Sequence, residues 1–222
     1  MKKIFLAFAL IAAGASVSMA QTKFGIQGGA NLATWNLSDD YDTEDDLKYK
    51  LAPRIGVFLD AQLSESISLR PAIFYSSKGA ALDIEDAGDG DYSRAKINYI
   101  EIPINGVFKF GKFELFAGPY VGIAISGKYK EEIDGQSEEG DFKFKNKVDL
   151  EDLSEDETYF KRTDFGIQAG VGYNFGFVSV NASLLKGLSN INPDIDMEGF
   201  DIEDFDYKIT NTVINISVAY TF

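Results

Sequence analysis

The sequence predicts an all-β fold, an eight-stranded antiparallel up-and-down transmembrane β-barrel, and three observations carry that expectation. Eight stretches alternate apolar and polar residues with the period of two that a pleated strand imposes. One face of each stretch is free of charge. The connections alternate between short and long, as they do when one rim carries tight turns and the other carries loops.

Taken in order, the strands lie near residues 23–34, 50–63, 67–78, 95–110, 113–127, 161–176, 177–189 and 207–222. The first sets Phe24, Ile26, Ala30 and Leu32 against Gln27 and Asn31. The second sets Leu51, Ile55, Val57 and Leu59 against Arg54, Asp60 and Gln62, and the third sets Ile67, Leu69, Ile73 and Tyr75 against Arg70. In the fourth, Ile100, Ile102, Ile104 and Phe108 oppose Glu101 and Asn105; in the fifth, Phe113, Leu115, Val121, Ile123 and Ile125 oppose Glu114. The sixth opposes Phe165, Ile167, Val171 and Tyr173 to Asp164 and Gln168, and the seventh opposes Val178, Val180 and Leu184 to Asn181. The last opposes Ile214, Ile216, Val218, Tyr220 and Phe222 to Asn215. Phe58, Phe74 and Phe116 are exceptions on the polar face.

Ser64-Glu65-Ser66, Gly111-Lys112 and the region around Gly176 read as tight turns, whereas the connections 35–49, 79–94, 128–160 and 190–206 are long. In outer-membrane barrels the short turns are periplasmic. Aromatic residues cluster near both sets: Phe108, Phe110, Phe113, Tyr173, Phe175, Phe177, Tyr220 and Phe222 near the turns, and Trp35, Tyr49, Tyr75, Tyr99, Tyr129, Phe160 and Tyr207 near the loops. This predicts an aromatic girdle at each interface. Pro53, Pro71, Pro103 and Pro119 fall inside strands, where a missing ladder donor predicts bulges or shorter strands.

Size decides which face points inward. An eight-stranded interior is narrow and must hold its own side chains. The apolar set is too bulky for it, while the polar set is rich in Gly and Ala. The apolar face therefore meets lipid, where one Lys or Arg at mid-bilayer costs about 2–4 kcal/mol, and closure satisfies the backbone without water.

The chain opens as a secretory address. Lys2 and Lys3 precede an apolar run from Ile4 to Ala15, and Ser18-Met19-Ala20 precedes Gln21, so residues 1–20 read as a signal peptide and 21–222 as the mature domain. No Cys is present to form a disulfide or carry a lipid, and no His is present to serve as base, shuttle or zinc ligand. A formal charge of −14 repels phosphate backbones and excludes nucleic-acid binding. A Ser-His hydrolase is ruled out with the imidazole. The expectation is a non-enzymatic monomer without cofactor.

Four motifs add a resemblance. Tyr99-Ile100-Glu101-Ile102-Pro103-Ile104, Gly118-Pro119-Tyr120-Val121-Gly122, Asp164-Phe165-Gly166 followed by Gly170-Val171-Gly172-Tyr173, and Lys186-Gly187-Leu188-Ser189-Asn190-Ile191 resemble the outer-membrane β-barrel domain of Bacteroidota, the porin-family or PorT-family proteins. The likeness spans the mature chain and implies an eight-stranded barrel similar to small OmpX/OmpA-type barrels; it implies little about biochemical role. The ending Ile216-Ser217-Val218-Ala219-Tyr220-Thr221-Phe222 looks like the C-terminal signal read by the outer-membrane assembly machinery, with Tyr220 and Phe222 as its aromatic marks.

Two sets of residues are candidates for chemistry. Arg54 and Arg70 pair with Asp60, Glu101, Glu114 and Asp164 inside the barrel, because a charge in a narrow interior needs a partner. Such a network plugs the lumen; the alternative is a narrow channel for ions or small solutes, and behind it a soluble barrel that binds an apolar ligand. Of 35 acidic residues, 30 lie in the long loops. There Asp194, Asp196 and Glu198 mimic the opening of a calcium loop, with Asp86, Asp89 and Asp91 as a looser set, although Phe205 stands where a bidentate Glu is required. A solvated acidic surface competes with divalent-cation bridging. The third loop, 128–160, is either a contact for an extracellular partner or disordered.

Overall fold

A computed structural model of the chain describes residues 22–37, 47–83, 92–133, 135–149, 157–196 and 208–222. Eight long strands carry the fold: β1 (Thr22–Leu37), β2 (Lys50–Gln62), β3 (Ile67–Lys78), β4 (Tyr92–Phe110), β5 (Phe113–Ile133), β6 (Thr163–Asn174), β7 (Val178–Gly187) and β8 (Ile209–Thr221). Each pairs antiparallel with the next, and β8 pairs back onto β1, so the strands form a ring. A register line from Tyr99 runs through Ser76, Arg54, Gly29, Ser217, Asn181, Gly172 and Glu114, and returns to β4 at Lys109. That stagger tilts strands about a barrel axis.

The tight turns lie where the turn residues put them. Gly111 and Gly176 take the left-handed conformation, with φ of 61° and 110°, which only glycine adopts without strain. Between β2 and β3, Leu63 N–H donates to the Ile67 carbonyl at 2.9 Å and Ile67 N–H donates to Ser64 Oγ at 3.1 Å.

The prolines do not shorten the strands, contrary to expectation. Registers break beside Pro71 between β2 and β3, beside Pro103 between β3 and β4, and beside Pro119 between β4 and β5. Each proline loses pairing on one side only, because a strand residue directs its N–H to a single neighbour. The pairs Pro71↔Ile104 and Pro103↔Tyr120 on the other sides are intact.

The outer surface is apolar around the ring: Leu51, Ile73, Leu115, Ile167, Leu184 and Ile216 are all exposed. Exposure on that scale marks a lipid-facing surface. The charge-free expectation fails at one end. Lys96 and Lys186 also take the outward face, both at the loop ends of their strands.

The two sets of aromatics behave differently. Near the turns they form an outward belt of two runs: Phe108, Phe110, Phe113, Tyr173 and Phe175 touch in succession, as do Phe177, Tyr220, Phe222 and Phe24. Near the loops the expected girdle is split: Tyr49 and Tyr75 keep to the outer surface, whereas the others described turn inward. Tyr99 is wholly buried, and it packs with Ile97, Phe142, Phe160, Ile191 and Ile209 into a cap over the barrel mouth, against which Trp35 and Tyr129 rest. Tyr207 lies outside the described residues.

The third connection is not a plain loop. β5 continues past the lipid-facing band and turns at Gly135 into a strand over Gln136–Asp141. Lys143–Phe144 then pairs with Tyr159–Phe160, and Lys147–Asp149 pairs with Asp194–Asp196. Apolar burial of Phe142 and Phe160 against the barrel mouth gives these short pairings their anchor.

Candidate functional site in the barrel lumen

Inward-facing positions of all eight strands converge on the lumen, and their charges sort into two groups. The upper group lies beneath the cap. Lys78 Nζ sits 2.7 Å from Glu101 Oε2 and 3.0 Å from Asp164 Oδ2. Arg54 donates to Glu101 Oε1 through Nη2 at 2.8 Å and Nε at 3.1 Å, and its guanidinium lies 3.8 Å from the Phe74 ring centre. Asp164 also accepts from Asn211 Nδ2 at 3.0 Å and Tyr120 OH at 3.3 Å. Lys78, Glu101 and Asp164 are all wholly buried.

The lower group faces the short turns. Asp60 accepts from Arg70 and from Lys109 Nζ at 2.7 Å, and Arg70 Nη1 lies 2.9 Å from Glu114. Lys109 keeps 27% of its side chain exposed, so this group borders solvent. Each group contains two cations and two anions, which leaves neither with net charge. Mutual compensation is what makes buried ions tolerable, because an unpaired one carries a desolvation cost of several kcal/mol.

Between the groups lies a polar layer of Gln27, Asn105, Gln168, Asn181 and Ser183 around a void of about 20 Å³. That volume admits one water molecule. The oxygens Asn105 Oδ1, Gln168 Oε1 and Asn181 Oδ1 meet no protein donor there, so a water has acceptors to bond. Above it, Asn31 donates to Ser76 Oγ at 3.1 Å and accepts from Asn215 at 2.9 Å, which ties β1, β3 and β8 across the lumen.

Inward glycines are room for inward rings. Phe58, Phe74 and Phe116 pair directly across from Gly25, Gly56 and Gly170. A Cβ at Gly25 would lie 2.2 Å from the Phe58 ring, and one at Gly170 would lie 2.4 Å from that of Phe116. The aromatic exceptions to the polar face are therefore packed on the bare backbone opposite, and two of them carry the arginines on their faces.

All six residues expected in the lumen network are there, but divided in two: Arg54, Glu101 and Asp164 above, Asp60, Arg70 and Glu114 below. The partner of Asp164 is Lys78 rather than an arginine. Lys78 and Lys109 stand at or near strand ends; the alternation they share with Arg70 and Glu101 gives their inward face but not whether they lie at the rim or in the interior. At the acidic loops, Asp194 is held by Lys161 Nζ at 2.6 Å, while Glu198, Phe205, Asp86, Asp89 and Asp91 lie outside the described residues. Of Asp196 the structure gives the backbone, paired with Asp149. Among the described residues no three metal-ligating side chains gather. Tyr220 and Phe222 face outward in the aromatic belt, and Phe222 N–H donates to the Phe24 carbonyl at 2.8 Å, fastening the C-terminus to β1.

Comparison with known proteins gives one family match and several similar structures. A family model described as outer membrane protein beta-barrel domain matches residues 19–192. No curated protein matches the chain by sequence. Among solved structures, the attachment invasion locus protein Ail of Yersinia pestis, in complex with the heparin analogue sucrose octasulfate, is 12% identical, with 90% of this chain and 99% of that one covered at a TM-score of 0.45. Neisserial surface protein A is 12% identical over 90% and 97% of the two chains, with a TM-score of 0.43. Outer membrane protein W of E. coli is 17% identical over 92% and 100%, with a TM-score of 0.39.

Proposed function

Since this chain belongs to the outer membrane protein beta-barrel domain family, we propose that it is a non-conducting surface barrel, closed by its own side chains and acting through its extracellular loops. It is an integral protein of the outer membrane. One observation carries the closed reading: two charge-neutral groups of buried ions stand one above the other in the lumen, and the void between them has room for a single water. The apolar cap over the upper group supports it further.

The finer assignments belong to the same proposal. Residues 1–20 are a signal peptide, the mature domain begins at Gln21, and Tyr220 and Phe222 mark the chain for the assembly machinery. The motifs around Tyr99, Gly118, Asp164 and Lys186 are similar to those of the Bacteroidota porin-family and PorT-family proteins and support a place among them. The barrel is a monomer without catalytic machinery, and its acidic loops meet an extracellular partner or divalent cations. Calorimetric titration with calcium tests the cation reading, and the absence of heat at millimolar concentration would refute it.

The rival function is a narrow channel, and planar-bilayer recording separates the two. Purified protein is expected to give no steady conductance at neutral pH. A stable open level in most insertions would overturn the plug and establish the channel.

A further inference from the structure

The charges on the outward face, where the lipid-facing band ends, form a pattern that the closed-barrel reading does not use. Going up β4 and β5 from the membrane, the last apolar residues are Ile100 and Ile125. Asn98 and Ser126 come next, joined at 2.8 Å. Above them Lys96 lies directly across from Lys128, and Arg94 directly across from Lys130. Like charges facing each other across a ladder repel and destabilise a sheet. Here two such pairs stand one above the other in a chain with 35 acidic and 21 basic residues.

A bulge makes the pattern possible. The β4–β5 register shifts at Asn98/Tyr99, where Ile125 is the extra residue. Ala124 and Gly127 are buried while Ile125 and Ser126 are both exposed, so the alternation of β5 flips there. Without the flip, Lys128 and Lys130 would point into the apolar cap. With it, they share the outward face with Arg94 and Lys96. Re-aiming side chains is what a bulge does.

Compensation within the protein is incomplete. Lys128 meets Asp141 at 3.5 Å, and Lys130 meets Glu139 at 3.8 Å and Glu132 at 3.9 Å, all pairs open to solvent, so three carboxylates stand against four cations. Among the described residues no carboxylate reaches Lys96 or Arg94 within ion-pair distance, and Lys96 and Arg94 lie close enough to repel Lys50. Lys128 stands three residues beyond Ile125, about 10 Å along the strand, or roughly 8 Å above the apolar band once tilt is allowed for. That is the level of lipid head groups.

We infer that Arg94, Lys96, Lys128 and Lys130 form a docking site for the phosphate groups of outer-leaflet lipid. The inference rests on the orientation that puts the long loops outside the cell. The bulge supplies convergence, the opposed pairs supply a positive potential that the protein's own carboxylates relieve only in part, and the position fits a phosphate attached to acyl chains lying along the apolar face. A free anion would have no reason to prefer a site at this depth.

The test is native mass spectrometry of the full mature barrel in neutral micelles, titrated with lipid A, with dephosphorylated lipid A and with inorganic phosphate. Each cation removed is expected to weaken lipid A binding about fivefold, so K96Q/K128Q should lose roughly thirtyfold. K23Q/K112Q removes the same charge at the opposite rim and should change binding less than twofold. Both variants replace surface residues, and heat-modifiable gel mobility verifies that they fold. Equal lipid A binding by K96Q/K128Q and the unmodified protein would overturn the site. So would equal binding of the dephosphorylated lipid, or binding of inorganic phosphate as tight as that of lipid A. None of these readouts depends on conductance, so failure here and failure of the closed-lumen reading are separate results.

Discussion

The two ends of the barrel are built from the same residue types used in opposite directions. At the end with tight turns, aromatic rings point outward in a belt along the membrane interface, and the ion group behind them keeps Lys109 partly in solvent. At the end with long loops, Tyr99, Phe142 and Phe160 point inward, stack over the mouth, and leave the ions beneath them dry. An aromatic near an interface is thus no guide to which way it faces; the pleat position of its strand decides. The difference also divides the lumen into a stiff, sealed half and a half in contact with water.

The two halves differ most in their charges. Glu101→Gln leaves Arg54 and Lys78 short of a counter-ion in the buried group, and is expected to destabilise the fold by about 3–5 kcal/mol. Glu114→Gln should lower it by only about 1–2 kcal/mol, because Arg70 retains Asp60 and the group is open to water. Urea unfolding in detergent measures both, and equal losses would erase the distinction between the halves.

The aromatics give the next contrast. Phe160→Ala removes a ring that Phe142 and Trp35 both touch, and should cost about 3 kcal/mol together with faster amide exchange at Ile97 and Ile191. Phe175→Ala, in the outward belt, should cost about 1 kcal/mol or less and leave exchange in the lumen unchanged. Loss of protection at the mouth in the Phe175 variant would show that the belt and the cap are not independent.

The smallest effect is a pH dependence at the capped end. Hydrogen bonds from Lys143 and then Tyr159 hold the Glu157 carboxyl below its ordinary value of 4.5. A carboxylate with a depressed folded pKa stabilises fully above its unfolded pKa and loses that contribution as pH falls through the folded value. Protease resistance of the Lys143–Phe144 and Tyr159–Phe160 pairing should therefore hold from pH 7 down to 4.5 and decline only below it. A decline already at pH 6 would contradict this assignment.

Much of the site was legible before folding. The parity that put Ile100 and Ile102 on one face put Glu101 and Asn105 on the other, and all six expected lumen charges lie where that parity sends them. Lys78 and Lys109 obey the same rule, but a residue near a strand end has no local mark that separates rim from interior. The prolines were legible as ladder defects, but the bulges or shorter strands expected of them do not follow, since a sequence does not say that only one of two neighbours loses a donor.

The sequence by itself determined what depends on neighbours within a few residues: the alternation, the three glycine or serine turns, and the assignment of apolar side chains to lipid. Tertiary structure alone decided what depends on ring closure and stagger. Closure brings Lys78 of β3 to Asp164 of β6 and Asn31 of β1 to Ser76 of β3, pairs that no local pattern relates. Stagger and one bulged residue, Ile125, decide that Lys128 shares the outward face with Lys96 instead of pointing into the mouth. The physical reason is that alternation fixes a side chain's face only relative to its own strand, and an extra residue in one strand of a pair reverses it from that point on.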